Sequence, residues 1–234
     1  MKIVKMYLKY QITLSNILIM LFLFLFLSLC YFININDINT SLDYDQVLSF
    51  YFQNSLYYTK IIMVFISCFL FMKLKNERNE YLINIIITAG FKKKDNYKYM
   101  ILCNILIIIF IITLLFISFL VIGLLTKEYY IIELKHLNSY VNLILLSIHY
   151  GLITYLLIQL TNNQMMFIIV IIMFLLSDLL ININNEIKYL LFCFLPNLNN
   201  INGSFYINQI FIIIFIIFLF KISEYVYLNS DLKN

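Results

Sequence analysis

The chain has 234 residues, of which 63% are apolar and only 12% charged, with a formal net charge of +4 and a mean hydropathy of +0.93. A soluble domain carries about 45–50% apolar and about 25% charged residues, so a water-soluble globule is excluded, and so is a disordered chain, which is poor in apolar residues and rich in charge. The solvent that suits this composition is a lipid bilayer.

In chain order, residues 1–13 interleave Lys2, Lys5 and Lys9 with Ile3, Met6 and Tyr10, a pattern that predicts an amphipathic stretch on a membrane surface rather than a nucleic-acid site. Six apolar segments then have the length of a membrane-crossing helix, which needs about 20 residues. They are predicted at 14–33, 54–73, 99–125, 140–160, 165–182 and 207–222. No alternating pattern of a membrane barrel occurs, so the expected fold is an all-α integral membrane protein with six transmembrane helices in one domain, 1–234. The first segment lacks a small-x-small cleavage site and reads as an uncleaved span. The second carries Lys60 on its outer third, where its stem can snorkel. The fourth and fifth join through Thr161-Asn162-Asn163-Gln164, too short for a domain. In the last outer loop, 183–206, the apolar run 189–195 before Pro196 is too short to cross and predicts a short re-entrant or interfacial helix before the sixth span; the competing reading is the end of a longer fifth helix.

Lysine and arginine set the orientation. With the N-terminus inside, the inner segments and their flanks hold twelve cations against three, Lys127, Lys135 and Lys188, on the outer loops. Both termini are therefore expected in the cytoplasm.

The 74–98 loop is the longest inner segment. Leu82, Ile85, Ile86 and Ala89 recur at helical spacing, with Glu77, Glu80, Asn84 and Thr88 on another side. Asn76 is placed to cap the start, Glu77 and Glu80 suit the positive end of the helix dipole, and Gly90 is a natural stop followed by Lys92, Lys93 and Lys94. A short amphipathic helix is expected, and two roles fit it: an interfacial helix held by anionic lipid, or a docking element for a soluble partner.

Within the spans, polar residues are the candidates for a transport pathway: Asn104, His149, Thr154 and Asp178. Each has a plainer role open to it: an interhelical hydrogen bond for Asn104, packing for His149, water contact at a helix end for Asp178. Ser147, Gly151 and Thr154 share one face and are expected to admit a neighbouring helix closely. Cys30, Cys68, Cys103 and Cys193 stand singly in apolar runs and read as packing residues rather than metal ligands. No catalytic constellation is visible, and four glycines and one proline leave no P-loop, so no metal, cofactor or ATP site of that type is expected in this chain.

The stretch Glu77-Arg78-Asn79-Glu80, then Ile85-Ile86-Ile87-Thr88-Ala89-Gly90-Phe91-Lys92-Lys93-Lys94-Asp95, resembles the first inner loop of ABC exporter permeases of the type-2 class. That loop has an acidic pair, an amphipathic coupling helix, a small-Gly break, basic residues and an acid, in a six-span chain with both termini inside. Here Tyr81-Leu82 stand where such permeases often have Gly-Thr. The resemblance implies that Glu77, Arg78, Glu80, Tyr81, Leu82, Ile85, Ile86, Ala89, Gly90 and Phe91 couple the chain to a cytoplasmic ABC ATPase dimer, which carries the ATP and Mg. It further implies a second permease subunit, identical or related, in a bacterial plasma membrane, and a hydrophobic or amphipathic peptide as cargo for export or self-immunity. The alternative is a non-transporting membrane anchor or sensor that recruits a cytoplasmic partner through the same helix; an intramembrane enzyme ranks last.

Overall fold

The structure, a computed structural model, describes residues 6–8, 13–36, 44–75, 77–88, 90–127, 134–183 and 203–229. It is helical, and no strand occurs among the described residues. The helices are α1 (Leu14–Asn36), α2 (Tyr44–Met72), which continues into a 3₁₀ turn (Lys73–Lys75), α3 (Glu77–Thr88), α4 (Lys93–Lys127), α5 (Leu134–Thr161), α6 (Met166–Ile183) and α7 (Gly203–Asn229). In the described residues four stretches are long and apolar enough to cross a membrane: Tyr51–Lys75, Lys93–Thr126, His136–Thr161 and Gln209–Asn229. Two more apolar stretches, Leu21–Ile33 in α1 and Met166–Leu176 in α6, are shorter.

The helices overrun the windows expected from hydropathy: α2 begins at Tyr44, α4 at Lys93, and α7 continues to Asn229. Hydropathy marks the part of a helix matched to hydrocarbon, whereas backbone hydrogen bonding carries the helix on into the polar boundary. The short helix expected at 189–195 lies outside the described residues.

Helices α2 and α5 form the middle of the bundle; α1 packs on α2 and α4, α6 on α2 and α5, and α7 on α5 and α4. The main core joins Leu27 and Tyr31 of α1, Met63, Leu70 and Phe71 of α2, Ile108 and Ile112 of α4 and Leu152 and Tyr155 of α5. A second cluster joins Val64 and Cys68 to Leu146 and Tyr150 and to Val170 and Phe174 of α6. Small residues let α2 and α5 meet. A Cβ added at Gly151 would stand 2.5 Å from Phe71 Cδ2 and 2.6 Å from Ser67 Oγ. Ser67 Oγ donates across the seam to the carbonyl of Ser147, the close approach expected of the Ser147–Gly151–Thr154 face. Hydroxyls within the helices turn back on their own backbone: Ser147 donates to Leu143, Thr154 to Tyr150, Thr113 to Ile109 and Thr126 to Ile122. Such bonds let polar side chains sit in an apolar helix without an orphaned donor. Helix α7 is tied to α5 near both its ends, by Gln209 Nε2 donating to Asn142 Oδ1 at 2.7 Å and Ser223 Oγ donating to Gln159 Oε1 at 3.3 Å.

Candidate functional site

One end of the bundle gathers the 3₁₀ turn, α3, the start of α4, the α5–α6 turn, the end of α7 and residues 6–8. Gln164 Nε2, in the α5–α6 turn, donates to the carbonyl of Lys75 at 3.3 Å and joins that turn to the entrance of α3.

Helix α3 stops where Gly90 predicts. Gly90 takes φ +88°, its N–H donates to the Ile87 carbonyl at 2.9 Å, and the Phe91 N–H donates to the Ile86 carbonyl at 3.3 Å. This pair of reverse bonds is a Schellman motif, and its left-handed residue is a position that favours glycine. The chain turns at once into α4, where the Lys92 carbonyl accepts from the N–H groups of Asp95 and Asn96 at 3.0 Å each.

Ile86 is the inward anchor of α3, 3% exposed, with Ile83 packed beside it on the main core. Ile85 corrects the expected pattern: it is 41% exposed and shares the outer side with Asn84 and Thr88. Three consecutive isoleucines, 85–87, wrap most of a helical turn, so spacing alone does not decide which of them faces in; packing against the bundle does. Phe91 is exposed as well. The predicted coupling residues Glu77, Arg78, Glu80, Tyr81 and Leu82 lie on the first turns of the α3 backbone, and their side chains are outside the described set, as are Asn76 and Ala89.

A clasp that sequence reading missed closes this end. Tyr7 Oη donates to Asn96 Oδ1 at 2.7 Å, and Asn96 Nδ2 donates to Tyr227 Oη at 3.1 Å. Residue 7, the first turns of α4 and the end of α7 are thereby linked through one buried amide. Burial, and then the neighbouring Tyr227 phenol, push the Tyr7 hydroxyl well above its ordinary pKa, so it is a neutral donor. Lys93 turns inward, its Nζ 3.4 Å from the Leu228 carbonyl and 5.1 Å from the centre of the Tyr227 ring. Tyr97 donates to the Phe220 carbonyl at 3.2 Å and packs against Tyr227, Phe220 and Tyr155. The one signal in the sequence was tyrosine near the ends of apolar segments, a pattern shared with ordinary interfacial belts.

Three of the predicted pathway residues sit in packed positions of the bundle. Asn104 is fully buried between α4 and α2, its Nδ2 donating to the Leu70 carbonyl at 3.2 Å, while its Oδ1 finds no hydrogen bond. His149 is buried against Tyr150 and Phe215, the latter on α7. Thr154 is fully buried and bonded to its own helix. Asp178 lies on the α6 backbone, with its side chain outside the described set. A cavity does open elsewhere, among Tyr31, Ser55, Thr59, Phe119, His136 and Tyr140 of α1, α2, α4 and α5. Its volume is about 30 Å³, room for a water or two and far too small for a peptide.

Comparison with protein-family models, with curated proteins and with solved structures gives no match.

Proposed function

We propose that this chain is the membrane subunit of an ATP-driven ABC exporter, with six crossings, both termini in the cytoplasm and α3 as the coupling helix received by a separate ATPase dimer. The observation that carries the reading is the form of α3: a twelve-residue helix with a built stop at Gly90, anchored inward by Ile86 and presenting Asn84, Ile85, Thr88 and Phe91 outward. It stands directly between two apolar helices, α2 and α4, so a push on it reaches both. The Asn96 clasp supports the same reading, because it links the base of α4 to α7 and would spread a rigid movement of the hairpin through the bundle. A chain without a P-loop needs the ATPase from another subunit.

A route between two permease subunits belongs to the same reading, as in the exporters whose first inner loop this chain resembles. Walls of Phe, Leu and Ile suit a hydrophobic or amphipathic peptide better than an ion.

The test is purification of the full chain from membranes together with cytoplasmic ATPase subunits of the same cell. Wild type is expected to bring down a stoichiometric ATPase. The chain with 77–88 replaced by a polar linker is expected to insert and to bring down none. An ATPase retained by the linker variant overturns the coupling role of α3. A different, non-hydrolysing protein bound through α3 in its place favours the anchor or sensor reading.

A further inference from the structure

The lysines that follow α3 divide into two kinds. Lys93 points inward to Leu228 and Tyr227, whereas Lys92 is exposed ahead of α4 and Lys94 and Lys98 are exposed on it. From Lys94 and Lys98 an exposed ribbon runs up α4 at mostly four-residue steps, through Leu102, Leu106, Phe110 and Leu114 to Ile117, Val121 and Leu125. It winds gently round the helix, because four residues overshoot one turn of 3.6. Its partners on the opposite side, among them Met100, Asn104, Ile108 and Leu115, are buried in the bundle.

The apolar part of the ribbon, Leu102 to Leu125, measures about 35 Å at 1.5 Å per residue, against a hydrocarbon core of about 30 Å. Lys98 stands one turn below Leu102 and Lys94 one turn below that. A ribbon of this length fills the hydrocarbon thickness, so both ammonium groups fall at the headgroup level on a face that meets lipid. We infer that Lys94 and Lys98 form a binding site for the headgroups of anionic phospholipids, placed in the first turns of α4 where it pins the α3–α4 hairpin to the membrane surface. Charge decides the headgroup: two exposed cations on a lipid-facing ribbon attract an anionic phosphate diester far more than a zwitterionic one, whose own ammonium opposes them. The inference rests on the membrane reading but needs no ATPase, so its failure and that of the exporter proposal are separate.

The test uses the full chain in mild detergent, offered equal amounts of phosphatidylglycerol and phosphatidylcholine, with bound lipids identified by native mass spectrometry. Wild type is expected to retain phosphatidylglycerol in excess, and added salt is expected to erode that excess. The double variant Lys94→Gln/Lys98→Gln is expected to lower the retention ratio by about tenfold, and Lys94→Arg/Lys98→Arg to preserve it. Lys93→Gln is expected to lower thermal stability and leave the ratio unchanged. Equal retention of both lipids by wild type, or an undiminished ratio in the double glutamine variant, overturns the inference. Loss of self-association or of a bound ATPase in that variant, with the lipid ratio intact, would assign the two lysines to a protein partner and overturns it equally.

Discussion

The α2–α5 seam and the α3 hairpin hold polar and small residues to opposite ends. In the seam, Gly151 and Ser67 bring two long helices together so closely that no side-chain atom can be added without displacing Phe71. In the hairpin, Gly90 has nothing within 4 Å of an added Cβ, and its glycine is required by the backbone alone. One glycine makes room for a neighbour and the other permits a turn. The seam is a packed interior in which hydroxyls are consumed by carbonyls, and it leaves nothing for a partner to grip. The hairpin is fixed at few points and presents Ile85, Thr88 and Phe91 outward. The first region is filled throughout, and the second keeps an exposed side.

The contrast predicts the largest loss of stability at Gly151. Helix propensity alone favours alanine there by about 1 kcal/mol. The overlap with the buried Phe71 ring opposes it, because forced repacking of a filled site costs about 1–3 kcal/mol. Gly151→Val gains only a few tenths of a kcal/mol in propensity against a larger clash and is expected to destabilise the chain by about 3 kcal/mol in reversible unfolding from mixed micelles. Gly151→Ala should follow with a smaller loss. A stabilised alanine variant would mean that α2 and α5 can part without cost, and the seam would lose its standing as the firm region.

The clasp comes next, since it is where the two regions join. Asn96→Leu takes the acceptor from the buried Tyr7 hydroxyl and removes the amide donor to Tyr227, and is expected to cost about 2 kcal/mol. Tyr7→Phe should cost about 1 kcal/mol, and the double variant less than the sum, because both changes remove the same bond. Strict additivity would show that the amide does not connect residue 7 to α4.

The helical class, four of the six expected long apolar helices and the stop of α3 were legible because each rests on a local signal: composition, a long apolar run, a glycine after a periodic segment. The Ser147–Gly151–Thr154 face was legible for the same reason, as small residues at helical spacing. The clasp was not, because Tyr7, Asn96 and Tyr227 are far apart in the chain and none is unusual in its own neighbourhood. The split among Lys92, Lys93 and Lys94 was equally hidden, since a run of three lysines reads as one patch until a helix fixes which of them turns inward. Ile85 and Ile86 failed through ambiguity: adjacent isoleucines are equivalent to a hydropathy scale and differ only once α3 meets the bundle. Asn104, His149 and Thr154 were selected for being polar within a membrane, yet in a packed bundle that property serves interhelical contact as readily as a pathway.

Gly90→Ala is expected to have a smaller effect than Asn96→Leu, about 1 kcal/mol, the usual penalty for placing an L side chain in the left-handed region. With open space around the position, no clash adds to it. The readout that sharpens the comparison is its location: amide exchange should accelerate in α3 and the first turn of α4 while the α2–α5 seam keeps its protection. Uniform acceleration would mean that hairpin and seam unfold as one unit.

Ile85→Asn with Phe91→Ser should change stability least. Both side chains are more than two-fifths exposed, at 41% and 46%, and surface substitutions commonly stay within about 0.5 kcal/mol. Ile86→Asn, one residue away, is the matched control: its side chain is 3% exposed, and burying an amide there is expected to destabilise by about 2–3 kcal/mol. If α3 is a docking surface, the first pair should lose a bound ATPase while unfolding at the wild-type midpoint, a separation of binding from stability that no seam variant can produce. Equal destabilisation by the exposed pair and by Ile86→Asn would show that α3 is buried on both sides in the assembled protein. A stable exposed pair that keeps its ATPase would leave α3 as a structural elbow, and the grip would then have to be sought on the α5–α6 turn, where Gln164 meets Lys75.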